Sequence, residues 1–344
     1  MFLILLSLFV VISLFAFLEE KFSPKVVNIF FCVLVLVMAL FAGLRPDNID
    51  HDYDTYVSMY NNGEDFTTEI TFTLIADFIR NVVDNVTFLF LLYALVSLTL
   101  KGIVIRRLSN LCFLALLMYF STSYILHDFN QIRAGVATGF MLLGIPYLNA
   151  GKRWFYVLFV ILATLFHYSA FILIFLCFMD YKPMKPWQYA FYGMIIPFCY
   201  LAYFLHINVF YMIPIPYFEE KMEAYENLQH TAEAYDVNVF NLLLLTKIVI
   251  VYFLFFYARL IEKHNQYFPV LLKIEVLSIG AFVLFTEVPI VSFRINELLG
   301  VVEIVLFPML FYAFNPKWVA NVIVVLMAFI LMMIYLFYNK FLYL

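Results

Sequence analysis

Charge is scarce in this 344-residue chain: only 13% of its residues are Asp, Glu, Lys or Arg, whereas 66% are apolar, and the mean hydropathy is +0.97. No soluble core needs that much apolar surface, so a soluble globular domain is excluded and a polytopic membrane protein is left. Basic blocks are missing too. Twenty Lys and Arg stand against 24 Asp and Glu, a net charge of −4, with no run able to grip a phosphodiester polymer, so nucleic acid is not an expected partner. The four cysteines, at positions 32, 112, 177 and 199, lie inside apolar runs without CxxC or Cys/His spacing. That argues against a disulfide framework or a zinc site. The first apolar run lacks a basic leader and a small-residue cleavage site, which makes it a retained span rather than a signal peptide.

What is abundant is apolar sequence in long runs. Stretches able to cross roughly 30 Å of hydrocarbon as helix occur near 1–18, 26–44, 86–101, 110–126, 133–149, 188–206, 238–258, 269–287, 294–314 and 318–338. Helices must supply them, because lipid offers backbone groups no other partner. The expected fold is a single all-α integral membrane domain over 1–344, with about 10 to 12 transmembrane segments and two polar outer loops, near 45–85 and 207–237. Residues 155–179 are long enough for one span but carry His167 and a Tyr-Ser pair at their middle. Reading them as a helical hairpin that enters and leaves by the cytoplasm puts most basic residues inside and most acidic ones outside. A break near Gly193 and Pro197 would restore the same parity. Lys101 and Lys182 then fall inside and both long loops outside, so chemistry on the outer face is expected.

The stretch from Arg45 to Tyr56 packs Arg45, Asp47, Asp50, His51, Asp52, Tyr53, Asp54 and Tyr56 together. It reads either as a solvated acidic loop or as a site in which Arg45 binds phosphate, Asp52 acts as a general base, and Tyr53 and Tyr56 offer faces to sugars. A calcium loop on Asp50, Asp52 and Asp54 is disfavoured, since no Gly stands at the sixth position and no Glu at the twelfth. Residues 69–84 place apolar side chains largely on one stripe, predicting an amphipathic helix at the outer interface, with Glu69 as a first-turn carboxylate or a catalytic one. Arg133 opens a span rich in small residues, Gly135, Ala137 and Gly139, that permit close helix packing. It needs an anion or snorkels to water, and His167, deeper, needs a cavity or a partner. Arg294 and Glu297 lie one helical turn apart and either pair with each other or join an anion and sugar site with the other arginines.

Taken together, IRAGVA with Arg133, the basic turn GKRW, LFHYSA with His167 about 34 residues beyond Arg133, the Arg45, Asp52 and Tyr56 set, Glu69 with Phe72, and Arg294 resemble the Wzy-type polysaccharide repeat-unit polymerases, and among them the EpsG-like branch. Ile49-Asp50-His51 stands where a Gly-Thr-like pair precedes the Asp in that pattern. The resemblance implies a bacterial inner-membrane glycosyltransferase with a GT-C-like helical bundle. Such an enzyme transfers a growing glycan from undecaprenyl diphosphate to the non-reducing end of an incoming lipid-linked unit at the periplasmic side. It implies lipid-linked donor and acceptor, membrane lipid and a chain-length regulator as partners, and no cofactor or metal. Arg133, Arg294 and Arg45 would bind the diphosphate, with Asp52, His167 and Glu69 catalytic and Tyr53, Tyr56 and Glu297 at the sugars. The rival readings are a flippase of lipid-linked oligosaccharide, although internal repeats are not evident, and an O-antigen ligase.

Overall fold

A computed structural model of the chain describes residues 1–62, 68–180, 183–207 and 237–343. The polar loop expected over 207–237 lies outside the described residues except at its ends, and so does Lys182. The chain is an all-α polytopic membrane protein. Its helices are α1 (Phe2–Leu18), α2 (Pro24–Gly43), α3 (Tyr53–Asn61), α4 (Ile70–Val82), α5 (Val86–Leu108), α6 (Cys112–Ser121), α7 (Ile132–Asn149), α8 (Arg153–Phe166), α9 (Pro186–Phe204), α10 (Leu242–Phe256), α11 (Phe268–Leu284), α12 (Pro289–Gly300) and α13 (Lys317–Met333). Among the described residues four helical stretches are long and apolar enough to cross a membrane, Phe2–Lys21, Pro24–Gly43, Val86–Leu108 and Lys317–Tyr338. A fifth is reached if α6 and the π-helical segment Tyr124–Asn130, bent by 59° at their junction, count as one span.

Burial follows the helical period. On α1, Leu5, Phe9, Ile12 and Ala16 face the core while Leu3, Val10, Leu14 and Phe17 are exposed, the face a bilayer covers. α7 is the inner helix, packed between α5 and α8. Its small residues make that approach possible: a Cβ on Gly139 would meet the Leu100 Cβ at 2.8 Å, and one on Gly135 would meet the Ser97 hydroxyl at 3.2 Å.

Three elements show detail that the sequence did not specify. The run at 294–314 is divided into α12, a short turn Glu303–Leu306 and a 3-10 helix Phe307–Ala313. α4 carries two apolar stripes rather than one: Ile70, Leu74, Phe78 and Val82, four residues apart, are exposed, whereas Phe72, Ala76 and Ile79, on the opposite side, are buried. One stripe therefore faces outward and the other closes the site. The third is the segment with His167 at its middle. α8 spans 14 residues, about 21 Å, and the chain then turns at His167 into a 3-10 helix, Tyr168–Phe178. The Tyr156 hydroxyl donates to the Leu173 carbonyl at 3.0 Å, so the two halves run back along each other.

Two buried lysines are paired inside the bundle. Lys101 sits within α5, fully enclosed, rather than at a membrane edge. It reaches Asp128 at 3.3 Å and the Ser97 hydroxyl at 3.0 Å, and Tyr119 donates to the same carboxylate at 2.5 Å. Lys247 meets Glu303 at 3.0 Å. Leaving one such charge alone in a low-dielectric interior costs about 3–5 kcal/mol. Lys101→Met is therefore expected to lower thermal stability in detergent strongly. Adding Asp128→Asn should recover part of the loss, and equal melting of wild type and Lys101→Met would show that the pair carries none of it.

Candidate functional site

The site forms where the start of α4, the mouth of α7, the turn after α8, the middle of α12 and the loop before α3 converge. Glu69 ends an extended stretch just before α4 and is 3% exposed. One of its carboxylate oxygens takes the Arg133 guanidinium. The other lies 3.2 Å from His167 Nδ1 and accepts the Tyr168 backbone N–H at 3.3 Å. Across the imidazole, Arg294 Nη1 stands 3.4 Å from His167 Nε2. Arginine only donates, so Nε2 is the lone-pair nitrogen and the proton is on Nδ1, pointing at Glu69. Burial works against the Glu69 charge, but the His167 hydrogen bond and the Arg133 charge outweigh it and hold this carboxyl at about 2.

Asp52 stands at the start of α3, half-buried. Burial raises its pKa, against the charges of Arg294, Arg133, His51 and Arg45, and no hydrogen-bond donor among the described residues engages its carboxylate. Glu297, one turn after Arg294, accepts the Gln131 side-chain amide at 3.1 Å. Asp52, Glu69, Arg133, His167, Arg294 and Glu297 thus share one cluster.

Three expected site residues are placed otherwise. Arg45 and Asp50 form an ion pair at 3.0 Å with both side chains at 0% exposure. The Arg45 guanidinium lies 4.1 Å from the Phe90 ring and donates to the Asp128 carbonyl at 3.0 Å. Burial pushes Arg45 down and Asp50 up to about 6, each against its partner's charge, so the pair is a support under the loop rather than an open anion site. Tyr53 stacks on Phe90 and donates to Asp47 at 2.5 Å. Tyr56 is 4% exposed, and its ring lies 5.7 Å from the Arg133 guanidinium and beside Phe72, which leaves no face for a sugar. Both tyrosines brace the site from behind.

The loop is also tied from the far end of the chain. His51 Nε2 donates to the Lys340 carbonyl at 2.7 Å, its Nδ1 accepts from the Tyr343 hydroxyl at 2.7 Å, and the Tyr343 N–H donates to the Ile49 carbonyl at 2.8 Å. That backbone pairing holds the loop at Ile49. Sequence reasoning did not assign a role to Gln131 or to this C-terminal clamp. Gln131 lay two residues before a singled-out arginine, which was the available signal.

Beside the cluster a cavity of about 850 Å³ opens between the 3-10 helix Tyr168–Phe178, α9, α11 and α12. Its walls are apolar, Ile172, Phe175, Ile195, Leu277 and Leu298 among them, and Arg294 is the charged residue that lines it. Arg294 therefore belongs to both the polar cluster and the apolar cavity.

No solved structure matches this chain. It is similar to the amylovoran biosynthesis protein AmsC of Erwinia amylovora, 24% identical over 169 residues, and the match covers 45% of each chain, so less than half of that relative's length is spanned. The EpsG family profile matches residues 28–343, and on that extent the chain belongs to the EpsG family.

Proposed function

We propose that this protein is a bacterial inner-membrane glycosyltransferase, of GT-C-like architecture, that polymerises oligosaccharide repeats carried on a polyprenyl diphosphate such as undecaprenyl diphosphate. The growing glycan leaves its lipid at the outer face and joins the non-reducing end of an incoming lipid-linked unit. Family membership and a relative named for amylovoran biosynthesis support polysaccharide assembly as the process. The observation that carries the reading is the double position of Arg294, which lines the 850 Å³ apolar cavity and touches His167 in the polar cluster. A ligand filling both must have an anionic head and a long apolar tail, as a polyprenyl diphosphate does.

In this scheme Arg294 and Arg133 give paired N–H bonds to the phosphate oxygens, where negative charge grows as the anomeric C–O bond breaks. Glu69 fixes the Arg133 fork. His167 holds Arg294 through Nε2 and passes it to the diphosphate when the donor arrives. The acceptor hydroxyl attacks the anomeric carbon, the bonding pair leaves with the diphosphate, and Asp52 takes the hydroxyl proton. Asp52 suits that work better than Glu69, since its raised pKa makes it the stronger base. A flippase would use the same arginines but would have no need of Asp52.

Three outcomes are expected. With lipid-linked repeat units extracted from the source cells, the purified protein should yield a ladder of polymer and release lipid diphosphate. Arg133→Ala and Arg294→Ala should each reduce the rate roughly 10²-fold or more while inserting normally; a full ladder from both variants would end the diphosphate-clamp reading, and movement of substrate between leaflets without a ladder would favour a flippase. The second concerns pH. A carboxylate depressed from 4.5 to about 2 adds stability that is fully present above pH 4.5 and is lost as pH falls towards 2. The difference in thermal melting between wild type and Glu69→Gln should therefore be constant from pH 8 to 5, with the variant less stable, and shrink below; identical profiles would refute it. Third, cysteines placed at Lys152 and Lys185, on either side of the doubled-back segment, should react with an impermeant reagent from the same membrane face. Labelling of just one in intact cells would make that segment a full crossing.

A further inference from the structure

α12 separates two cavities, the second with more polar side chains in its lining. Ile290, Arg294 and Leu298 line the apolar one. Asn296, Glu297 and Gly300 line a second, of about 350 Å³, closed on its other sides by the π-helical segment, α10 and the end of the chain. We propose that this second cavity is a carbohydrate subsite that holds the terminal sugar of the acceptor; the word acceptor rests on the polymerase reading, the binding of sugar does not.

Four observations carry the assignment. The first is an unspent polar group. His127 lines the cavity, is 1% exposed, and among the described residues neither of its ring nitrogens has a hydrogen-bond partner. A buried imidazole left so is costly unless a ligand or water meets it, and it rides on a π-helical stretch, Tyr124–Asn130, of the sort common at functional sites. Charge is the second. Lys247 and Glu303 face the cavity as a 3.0 Å pair, so their charges are mutually compensated. Glu297 has only the neutral Gln131 amide against it, so the lining opposes an anionic ligand. A neutral polyhydroxyl ligand finds donors and acceptors at matched positions without opposing a charge.

Third, the walls have two chemistries. Asn296 spends its amide N–H on Ser278 at 3.1 and 3.2 Å and keeps its carbonyl oxygen for a hydroxyl donor, while Phe293 and Tyr335 give the lining aromatic surface suited to the C–H side of a pyranose. A space of 350 Å³ is that of about twelve waters, enough for about one hexose. The fourth is continuity. Glu297 lines the cavity, takes the Gln131 amide at 3.1 Å, and interacts electrostatically with both Arg294 and Asp52. A sugar seated there presents its outer hydroxyl toward the base and the diphosphate site.

The test uses the full-length protein in nanodiscs and, as probe, the free oligosaccharide released by mild acid from lipid-linked repeat units of the source cells, with binding read by saturation-transfer NMR and calorimetry. His127→Phe removes no hydrogen bond within the described protein, so its melting temperature should hold or rise, yet probe affinity should fall roughly tenfold. His127→Gln, which keeps a donor and an acceptor, should retain more affinity than the Phe variant, and Leu243→Trp, which fills the cavity from α10, should abolish binding. In polymer assays His127→Phe should raise the acceptor KM while release of lipid diphosphate at saturating acceptor is kept. No probe binding by wild type at millimolar concentration, or affinity within about twofold of wild type in both His127→Phe and Leu243→Trp, overturns the proposal. Polymer made with an unchanged acceptor KM in these variants rejects the subsite and leaves the polymerase reading standing. Probe binding that depends on His127 in a protein forming no polymer keeps the subsite and rejects that reading.

Discussion

The carboxylate of Glu69 has two oxygens and three donors arranged around them, Arg133, His167 Nδ1 and the Tyr168 N–H. Burying a charge to this degree is costly unless it is paired and hydrogen-bonded. These bonds fix α4 against the mouth of α7 and against the turn that follows α8. The same constraint sets the imidazole: with its proton committed to Glu69, His167 has just a lone pair to offer Arg294, and so α12 is brought to the cluster too. One carboxylate thereby determines the position of both arginines. The exposed apolar stripe of α4 follows from the same arrangement, because the helix that delivers Glu69 must turn Phe72 and Ala76 inward and is left with Ile70, Leu74 and Phe78 on its outer side.

Around this centre the protein meets the cost of charge in lipid by pairing at long sequence range. Lys101 finds Asp128 from the next helical segment, and Lys247 finds Glu303. Arg45 finds Asp50 nearby but gains its remaining support from Asp128's carbonyl and from Phe90. Asp128 is thus shared: its carboxylate serves Lys101 and Tyr119 and its backbone serves Arg45. The loop bearing Asp52 is therefore held from below by a buried ion pair and from the side by His51 with Tyr343. The base of the proposed reaction must stand at a fixed distance from the bond it acts on, and a loop clamped at two points provides that where a free one does not.

Periodicity and charge placement made part of this legible in the sequence. Long apolar runs announce membrane helices whatever their partners, and an arginine or histidine inside one is conspicuous because it is expensive, which is why Arg133, His167 and Arg294 stood out. Gly135 and Gly139 announced close packing for the same local reason. Partnership was not legible. Nothing near Lys101 in the chain points to Asp128, nothing in the density of Asp and Tyr after Arg45 separates an open anion site from a buried pair, and Tyr56 reads equally as a sugar platform or as the wall behind Arg133. A single helical stripe also fits α4 when its residues are merely counted as apolar, and resolves into two only when both of its sides find neighbours. Such distinctions depend on which elements meet, and that is set by the whole bundle.

α12 gives the site its division of labour. Residues 290, 294 and 298 point to an apolar cavity, and residues 293, 296, 297 and 300 to a more polar one, so a lipid and a sugar can be held at once on opposite sides of a single helix. Arg294 and Glu297 lie one turn apart on it with opposite charges, yet each bonds a different partner, His167 and Gln131. Had they closed on each other, the arginine fork would be spent and the two compartments sealed. In the proposed reaction, holding them apart leaves a cation for the leaving group that gains negative charge and a carboxylate for hydroxyl groups. It also directs both towards Asp52, whose buried setting raises its pKa, whereas Glu69 is held low by its partners.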